Sequence, residues 1–509
     1  MFKVASIPEM RTTEQKCFER GISQNELMEN AGSAVARKII EIVGQFVGHS
    51  FLFLIGPGNN GGDGLVAARY LSSWGARVSM CLTSHTGDTG LGTLGGSIRL
   101  ISIQELGPAL RVSEFVVDAI LGTGQKLPLG EEIRAVLRTV AEEKERRGTV
   151  ILALDLPTGL DGDSGAVDES CLYCDYTITL GMAKKGIFSH PALERAGQLL
   201  VVDIGIPEEL TRDIRAAILD KTLAGRLLPP RPRWANKGTF GRLLIIAGSE
   251  NYLGAPYLAA AGALRIGTGL VSLAVPASLV GILAGKLDEA TFLPLPERDG
   301  SISPEAADVV ADNLASYDAL IVGPGIGQQA PAAEFMSRLL PLLGRLPTVV
   351  DADGLNILSG VSSWWELVPA TVVTPHPGEM SRLCGLPVEE IQRRRIDACR
   401  EAAMRWRQVV VLKGAYSVIS SPEGEVAVSP FAVPSLATAG TGDVLSGIIG
   451  GFLAQGLNLF EAAALGVFLH GRAGDMIDSV MHGAGVLAGD LPALLPEVIK
   501  ELRKNASSD

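Results

Sequence analysis

Apolar residues in the first half of this chain gather in short runs, each closed by glycine, aspartate or proline: FLFLIGPG, EFVVDAILGTG, VILALDLPTG and LLVVDIGIP. A strand covered by helices on both faces has no wet side, so it loses the period-two alternation of a half-exposed strand and reads as such a run. Stretches with helical spacing intervene, among them LVAARYLSSWG and EEIRAVLRTVAEEKERR. Alternating βα units predict an α/β protein of doubly wound parallel sheets, with ligands received at the carboxyl ends of the strands. The conspicuous polar residues fall at those ends.

The pattern breaks over LAGRLLPPRPRWANKGTFG, where prolines and arginines can neither pair in a central strand nor continue a helix. A boundary is therefore predicted near residue 226, giving domains 1–225 and 226–509. Alternation resumes with GRLLIIAGS, YDALIVGPGIG, TVVDADGLNIL, TVVTPHPGEM and VVVLKGAYSVIS, and long apolar helices, a closing helix and a polar tail end the chain. A length of 509 residues agrees with more than one core.

Composition then narrows the function. With 47% hydrophobic and 20% charged residues the chain is globular rather than disordered. A net charge of −12 argues against nucleic-acid or acidic-membrane partners, which need basic patches. The first ten residues, MFKVASIPEM, lack a signal core, and a cytoplasmic protein is expected. Of the six cysteines only Cys171 and Cys174 lie close together, and they read as half-buried thiols at a strand start rather than a metal or redox pair.

GPGNNGGDGLVAARYL places Gly56, Gly58 and Gly61 between a predicted strand and helix, where free N–H groups accept an anion. A Rossmann unit that binds nicotinamide cofactors also wants an acidic residue after the next strand, and ARVSMCLTSH supplies none, so hydride transfer is disfavoured. A glycine turn with polar caps remains a structural alternative. Asp118, Asp155 and Thr158 stand at further strand ends on the same rim. Oxygens of Asn60, Asp118 and Thr158 make a hard-donor cage suited to an alkali or alkaline-earth cation, which leaves Asp155 free for proton transfer. Lys184 and Lys185, in GMAKKG, read as a solvated pair rather than a second acid.

In the second half SLATAGTGDVLSG sets Gly440 to Asp443 directly before an apolar helix, a site for transferring phosphoryl oxygens. Asp443 at its edge can take the proton of an attacking hydroxyl. Lys413 and Gly414 turn between strands and suit nucleotide phosphates, with Lys413 as a point charge. Thr374, His376 and Glu379, the glycine turn Gly323 to Gly327, and Asp351, Asp353 and Asn356 occupy other strand ends.

The strings NNGGDGLVAAR, DAILGTG and LDLPTGLDGDSG, in this order, resemble the NAD(P)H-hydrate epimerase family over residues 1–220. The resemblance implies a Rossmann-like three-layer domain in which Asn59, Asn60, Gly61, Gly62, Asp63, Gly122, Thr123 and Gly124 contact the hydrated nucleotide. It further implies K+ on Asn60, Asp118 and Thr158 and a substrate contact at Asp155, which we expect to be the acid/base; Thr158 stands where serine is the family's usual residue and keeps the hydroxyl. The strings GSENYLGAPYLAAAGALRIGTGLV, VDADGLN, TPHPGEM, LKGAYSVI and AGTGDVLSG resemble the ribokinase-like superfamily and, within it, the ADP-dependent NAD(P)H-hydrate dehydratases over residues 226–509. That resemblance implies that Ala255, Gly325, His376 and Asp443 contact the hydrate, while Lys413, Gly414, Ala415, Tyr416, Ser417 and Gly442 contact the adenine nucleotide, with Mg2+ bridging its phosphates.

Together the resemblances imply repair of hydrated NADH and NADPH: one domain interconverts the R and S hydrates, the other dehydrates the S hydrate with ADP by phosphorylation and phosphate elimination. The expected partners are the hydrates and ADP or ATP, in a homo-oligomer. Two rivals stay open, a vitamin-type kinase whose product remains phosphorylated and a noncatalytic N-terminal binding or dimerisation module.

Overall fold

The FLFLI run becomes strand Ser50–Ile55, near the middle of a seven-stranded sheet, in a computed structural model that describes residues 2–83, 98–368, 370–481 and 483–505. Ser84 and His85 of the ARVSMCLTSH segment and tail residues 506–509 lie outside the described residues. The chain divides into two compact units, Phe2–Ala216 and Ala217–Asp509.

In the first unit the sheet runs Arg99–Ile101, Arg77–Leu82, Ser50–Ile55, Phe115–Ala119, Val150–Leu154, Tyr176–Leu180, Gln198–Val202, with every pairing parallel. Phe51, Phe53 and Ile55 pack with Val35, Ile39 and Leu71 of the helices on one face, whereas Leu52 and Leu54 pack with Leu110, Leu137 and Val140 on the other. Both faces are therefore dry, which is why the strand reads as an unbroken apolar run; burying each large side chain contributes about 1.5–3 kcal/mol. From Ser50–Ile55 the chain winds outward to one side and then returns to Phe115–Ala119 on the other. Strand order reverses between these two, so their carboxyl ends open the crevice where such folds bind ligands.

The second unit carries a ten-stranded sheet, parallel from Val409–Leu412 through Thr371–Val373, Thr348–Val350, Ala319–Val322, Arg242–Ile246 and Leu270–Pro276 to Thr291–Leu295. Val418–Ser420 and Val426–Val428 extend it antiparallel. The nearly wholly buried helix Thr441–Ala454 crosses Gly254–Arg265 closely: a Cβ on Gly447 would lie 2.0 Å from the Ala259 carbonyl oxygen. The units meet in sequence at 216/217 rather than at 226, because Ala216–Ile218 joins the second sheet and Leu219 N donates to Val428 O at 2.9 Å. That strand is too short to register as an apolar run, and the Pro/Arg stretch is held to the second unit by Arg231, which donates to Gln455 Oε1 at 2.8 Å. No helix among the described residues is long and apolar enough to cross a membrane.

Candidate active sites

Between strand Ser50–Ile55 and helix Asn59–Ser73 the chain makes the glycine loop. Its spacing serves packing at two positions: a Cβ on Gly56 would sit 1.9 Å from Ile120 O, and one on Gly61 1.9 Å from Gly56 O. Gly58 is exposed and caps the helix with no side-chain bond, so the amides of the first turn have no side-chain acceptor there and are available to a ligand. Gly62 packs against Met28. Asn59, Asn60, Asp63, Gly122, Thr123, Gly124 and Asp155 line one cavity of about 410 Å³.

Asp155 ends strand Val150–Leu154 with φ 66, a left-handed conformation that costs a non-glycine residue energy and marks functional positions. Its Oδ1 accepts from Leu180 N at 3.1 Å, from Thr179 Oγ1 at 3.2 Å and from the Lys184 ammonium. Lys184 reads in the sequence as half of a solvated surface pair; instead its side chain is 1% exposed in the wall of the cavity, held by Asp155 and by the Leu180 carbonyl at 3.1 Å. A buried ammonium needs a carboxylate partner, and Asp155 is that partner. Glu14, on helix Ile7–Glu19, also lines the cavity. Burial raises Glu14 and, with Asp155 nearby, holds the Asp63 carboxyl well above the usual range.

Asp118 and Thr158 lie deeper, with no exposed surface. Thr158 donates to Asp118 from its backbone N at 2.8 Å and from Oγ1 at 2.6 Å, while Ile120 N donates at 3.2 Å. A buried carboxylate held by these neutral donors is raised by desolvation and suits a cation. Asn60 supplies a second sign, since both polar atoms of its buried amide lack a hydrogen-bond partner among the described residues. Its side chain lies against Gly122, where a Cβ would come 3.3 Å from it. The oxygen-rich donor set fits an alkali cation. Gln125 also escaped the sequence reading: it ties the Gly122 to Gly124 loop to its neighbour by donating to Leu160 O at 2.7 Å and accepting from Gly159 N at 2.6 Å. Cys171 and Cys174 precede strand Tyr176–Leu180 as fully buried free thiols rather than half-buried ones, and burial pushes Cys171 up to about 12.

In the second unit Gly440, at φ 90, opens helix Thr441–Ala454 with no side-chain cap, and Asp443 stands in its first turn. Burial, then the neighbouring Asp351, push Asp443 up to about 7, with Lys413 opposing. Lys413 Nζ donates to Asp351 Oδ1 at 2.7 Å and lies 3.8 Å from Glu379. The ammonium is thus already paired. Gly442 leaves room for it, because a Cβ there would be 3.4 Å from Nζ. Gly414 and Ala415 are exposed and Ser417 half-buried, but the Tyr416 side chain turns into the core at 3% exposure, so only its backbone faces the loop surface. Beneath Gly414 lies the buried Arg395, with no sequence signal, donating to Lys413 O at 3.3 Å.

His376 caps helix Pro377–Cys384 through Nδ1, which accepts from Gly378 N at 3.0 Å and Glu379 N at 3.3 Å. Nδ1 thereby serves as acceptor, which places the proton of the neutral ring on Nε2. Burial and then Lys413 lower this histidine, favouring the neutral form. Gly325, at φ 63, is packed so closely that a Cβ would meet Ala255 Cβ at 3.0 Å, so the two residues share one wall.

A doubly wound sheet with Gly-Thr-Gly-Asp opening a buried helix is the layout of the ribokinase-like kinases. A ribokinase-like superfamily protein from Enterococcus faecalis V583 matches this chain with TM-score 0.50 and 27% identity, covering 56% of this chain and 96% of that one. Residues 243–497 match the family described as NAD(P)H-hydrate dehydratase, and residues 24–186 the family described as YjeF-related protein N-terminus. The bifunctional NAD(P)H-hydrate repair enzyme of Moorella thermoacetica is 39% identical over 95% of this chain and 93% of its own, and that of Thermofilum pendens 35% identical over 99% and 98%. The chain belongs to the family of bifunctional NAD(P)H-hydrate repair enzymes, with an N-terminal epimerase domain and a C-terminal dehydratase domain.

Proposed function

We propose that the first domain interconverts the two epimers of hydrated NADH and NADPH with Asp155 as its proton-transfer group, and that the second dehydrates one epimer with Asp443 as base. The observation that carries this reading is Asp155 itself: a strained carboxylate at a strand tip, fixed through one oxygen beside the first turn of a glycine-loop helix. Asn59, Asn60, Gly61, Gly62, Asp63, Gly122, Thr123 and Gly124 would receive the hydrate. Ala255, Gly325 and His376 would receive it in the second domain, where the His376 Nε2–H is a donor. K+ would sit on Asn60, Asp118 and Thr158, where it supplies the positive charge that the buried Asp118 lacks.

In the dehydratase the ring hydroxyl gives its proton to Asp443 as it attacks the terminal phosphoryl group of ADP or ATP, releasing AMP or ADP; phosphate then leaves where hydroxide would not, and the adjacent ring carbon loses a proton to water as the ring double bond forms. The Lys413 to Ser417 loop and Gly442 would cradle that nucleotide. Asp351 and Asp353 are engaged, by Lys413 and by Gly327 N at 3.0 Å, so Mg2+ would be carried chiefly on nucleotide phosphates and water, neutralising their charge. A cytoplasmic location and a homo-oligomer complete the reading.

Incubating the full chain with mixed epimers of hydrated NADH, and ADP or ATP, and following NADH absorbance tests it. Complete recovery in two phases is expected; Asp443→Asn removes both and Asp155→Asn only the slow one. Accumulation of a stable phosphorylated product would instead establish the vitamin-type kinase. Unchanged epimer exchange in Asp155→Asn would assign the proton transfer elsewhere.

A further inference from the structure

The three donors to Asp155, from Lys184, Thr179 and Leu180, all converge on Oδ1. The second oxygen takes none of these bonds, and Asp155 lines the cavity. Asp63 lines the same cavity from helix Asn59–Ser73, is 8% exposed, and its carboxyl takes part in no hydrogen bond or ion pair among the described residues. The two carboxylates thus differ in environment: one is held beside a buried ammonium, the other has no cation bonded to it. We propose that they form a complementary pair, Asp155 as the base and Asp63 as the acid of the epimerisation, with Lys184 as the positioning residue that holds Asp155 by its first oxygen and leaves the second to the substrate.

The chemistry balances without any co-reactant. The hydroxylated ring carbon is a hemiaminal, bonded to both oxygen and the ring nitrogen. Asp155 Oδ2 takes the hydroxyl proton, the oxygen's electron pair forms a carbonyl, and the carbon–nitrogen bond breaks with its pair passing to nitrogen, which takes the proton of Asp63. Rotation of the freed aldehyde presents its other face. Closure returns the nitrogen's proton to Asp63 and the Asp155 proton to oxygen, so both groups end as they began. The Asp63 carboxyl is raised by burial, then by Asp155 and Glu14, and opposed by Lys184, which favours the protonated form that an acid needs. Arg11 faces Glu14 from the same helix and lowers it.

This pair rests on the epimerase reading, and the bifunctional chain provides its own control. With mixed hydrates and ADP, the fast phase of NADH recovery belongs to the second domain and reports a folded chain; the slow phase reports epimer exchange. Asp63→Asn is expected to slow that phase by about 100-fold or more at saturating hydrate, the usual worth of a general acid, and to abolish its alkaline limb while the fast phase is unchanged. Lys184→Met is expected to lower the saturating rate of the slow phase with little change in KM, with Lys184→Arg restoring it. A slow phase in Asp63→Asn with unchanged saturating rate, an intact alkaline limb and only a raised KM overturns the proposal and leaves Asp63 a binding contact. Absence of any enzyme-dependent slow phase in the unmodified chain overturns the epimerase reading beneath it, a separate failure.

Discussion

Asp351 and Lys413, 62 positions apart, form a 2.7 Å ion pair whose carboxylate is 1% exposed, and the other Asp351 oxygen accepts from Ser446 Oγ at 2.6 Å. Because Ser446 follows Asp443 by one helical turn, this pair ties the nucleotide loop to the helix that carries the base. Burial alone would raise Asp351, but Lys413 and the hydrogen bonds of Ser446 and Thr374 outweigh it. Lys413→Met leaves that charge uncompensated and should cost about 3–5 kcal/mol of stability. Ser446→Ala should cost only about 1–3 kcal/mol and lower the dehydratase kcat more than it raises KM. Denaturant unfolding beside NADH-recovery kinetics separates the two effects.

The elevation of Asp443 to about 7 makes a pH prediction whose sign is fixed. The folded chain holds a proton on this group at pH values where the unfolded chain has released it, so the stabilisation is complete at low pH and lost as pH rises through the interval up to about 7. Asp443→Asn removes the charge and should be more stable than the parent at pH 8, by at most about 4 kcal/mol, with the gap narrowing as pH falls. Melting temperatures across that range check it. Dehydration, which needs the ionised base, should rise through about pH 7; Glu379 is pushed to the same value beside the same Lys413, so the limb belongs to the coupled groups.

Strands and glycine loops were legible because they depend on local pattern: dry strands lose alternation, and turns need glycine. Lys184 was not. Beside Lys185 it reads as solvated, and its burial follows only from Asp155, which is 29 positions earlier. Glu14 was hidden likewise, since a helix before the first glycine loop brings it to the cavity. Tyr416 shows the converse: its motif was legible, but the direction of its side chain depends on the core behind it.

The glycine loop separates packing from binding. Gly61→Ala forces a Cβ into the Gly56 carbonyl and should destabilise the first domain, lowering its melting transition while dehydratase activity persists. Gly58→Ala meets open space, so its transition should hold while hydrate binding weakens at the loop mouth. Calorimetry with epimer-exchange kinetics on both variants distinguishes these outcomes.

The last prediction concerns the orphaned amide of Asn60. Burying two polar atoms without partners costs roughly 1–3 kcal/mol per group unless something in the functional molecule satisfies them. A cation bound by Asn60 Oδ1, Asp118 and Thr158 would satisfy the oxygen and neutralise Asp118 together. The first domain should therefore melt higher in KCl than in tetramethylammonium chloride of equal ionic strength, by mass action on the folded state. Asn60→Leu should erase that difference without lowering the melting temperature in tetramethylammonium, because it removes the unsatisfied atoms along with the ligand. An Asn60→Leu chain that still gains stability from KCl would place the ion elsewhere, or nowhere, and leave Asn60 as a contact for the hydrate alone.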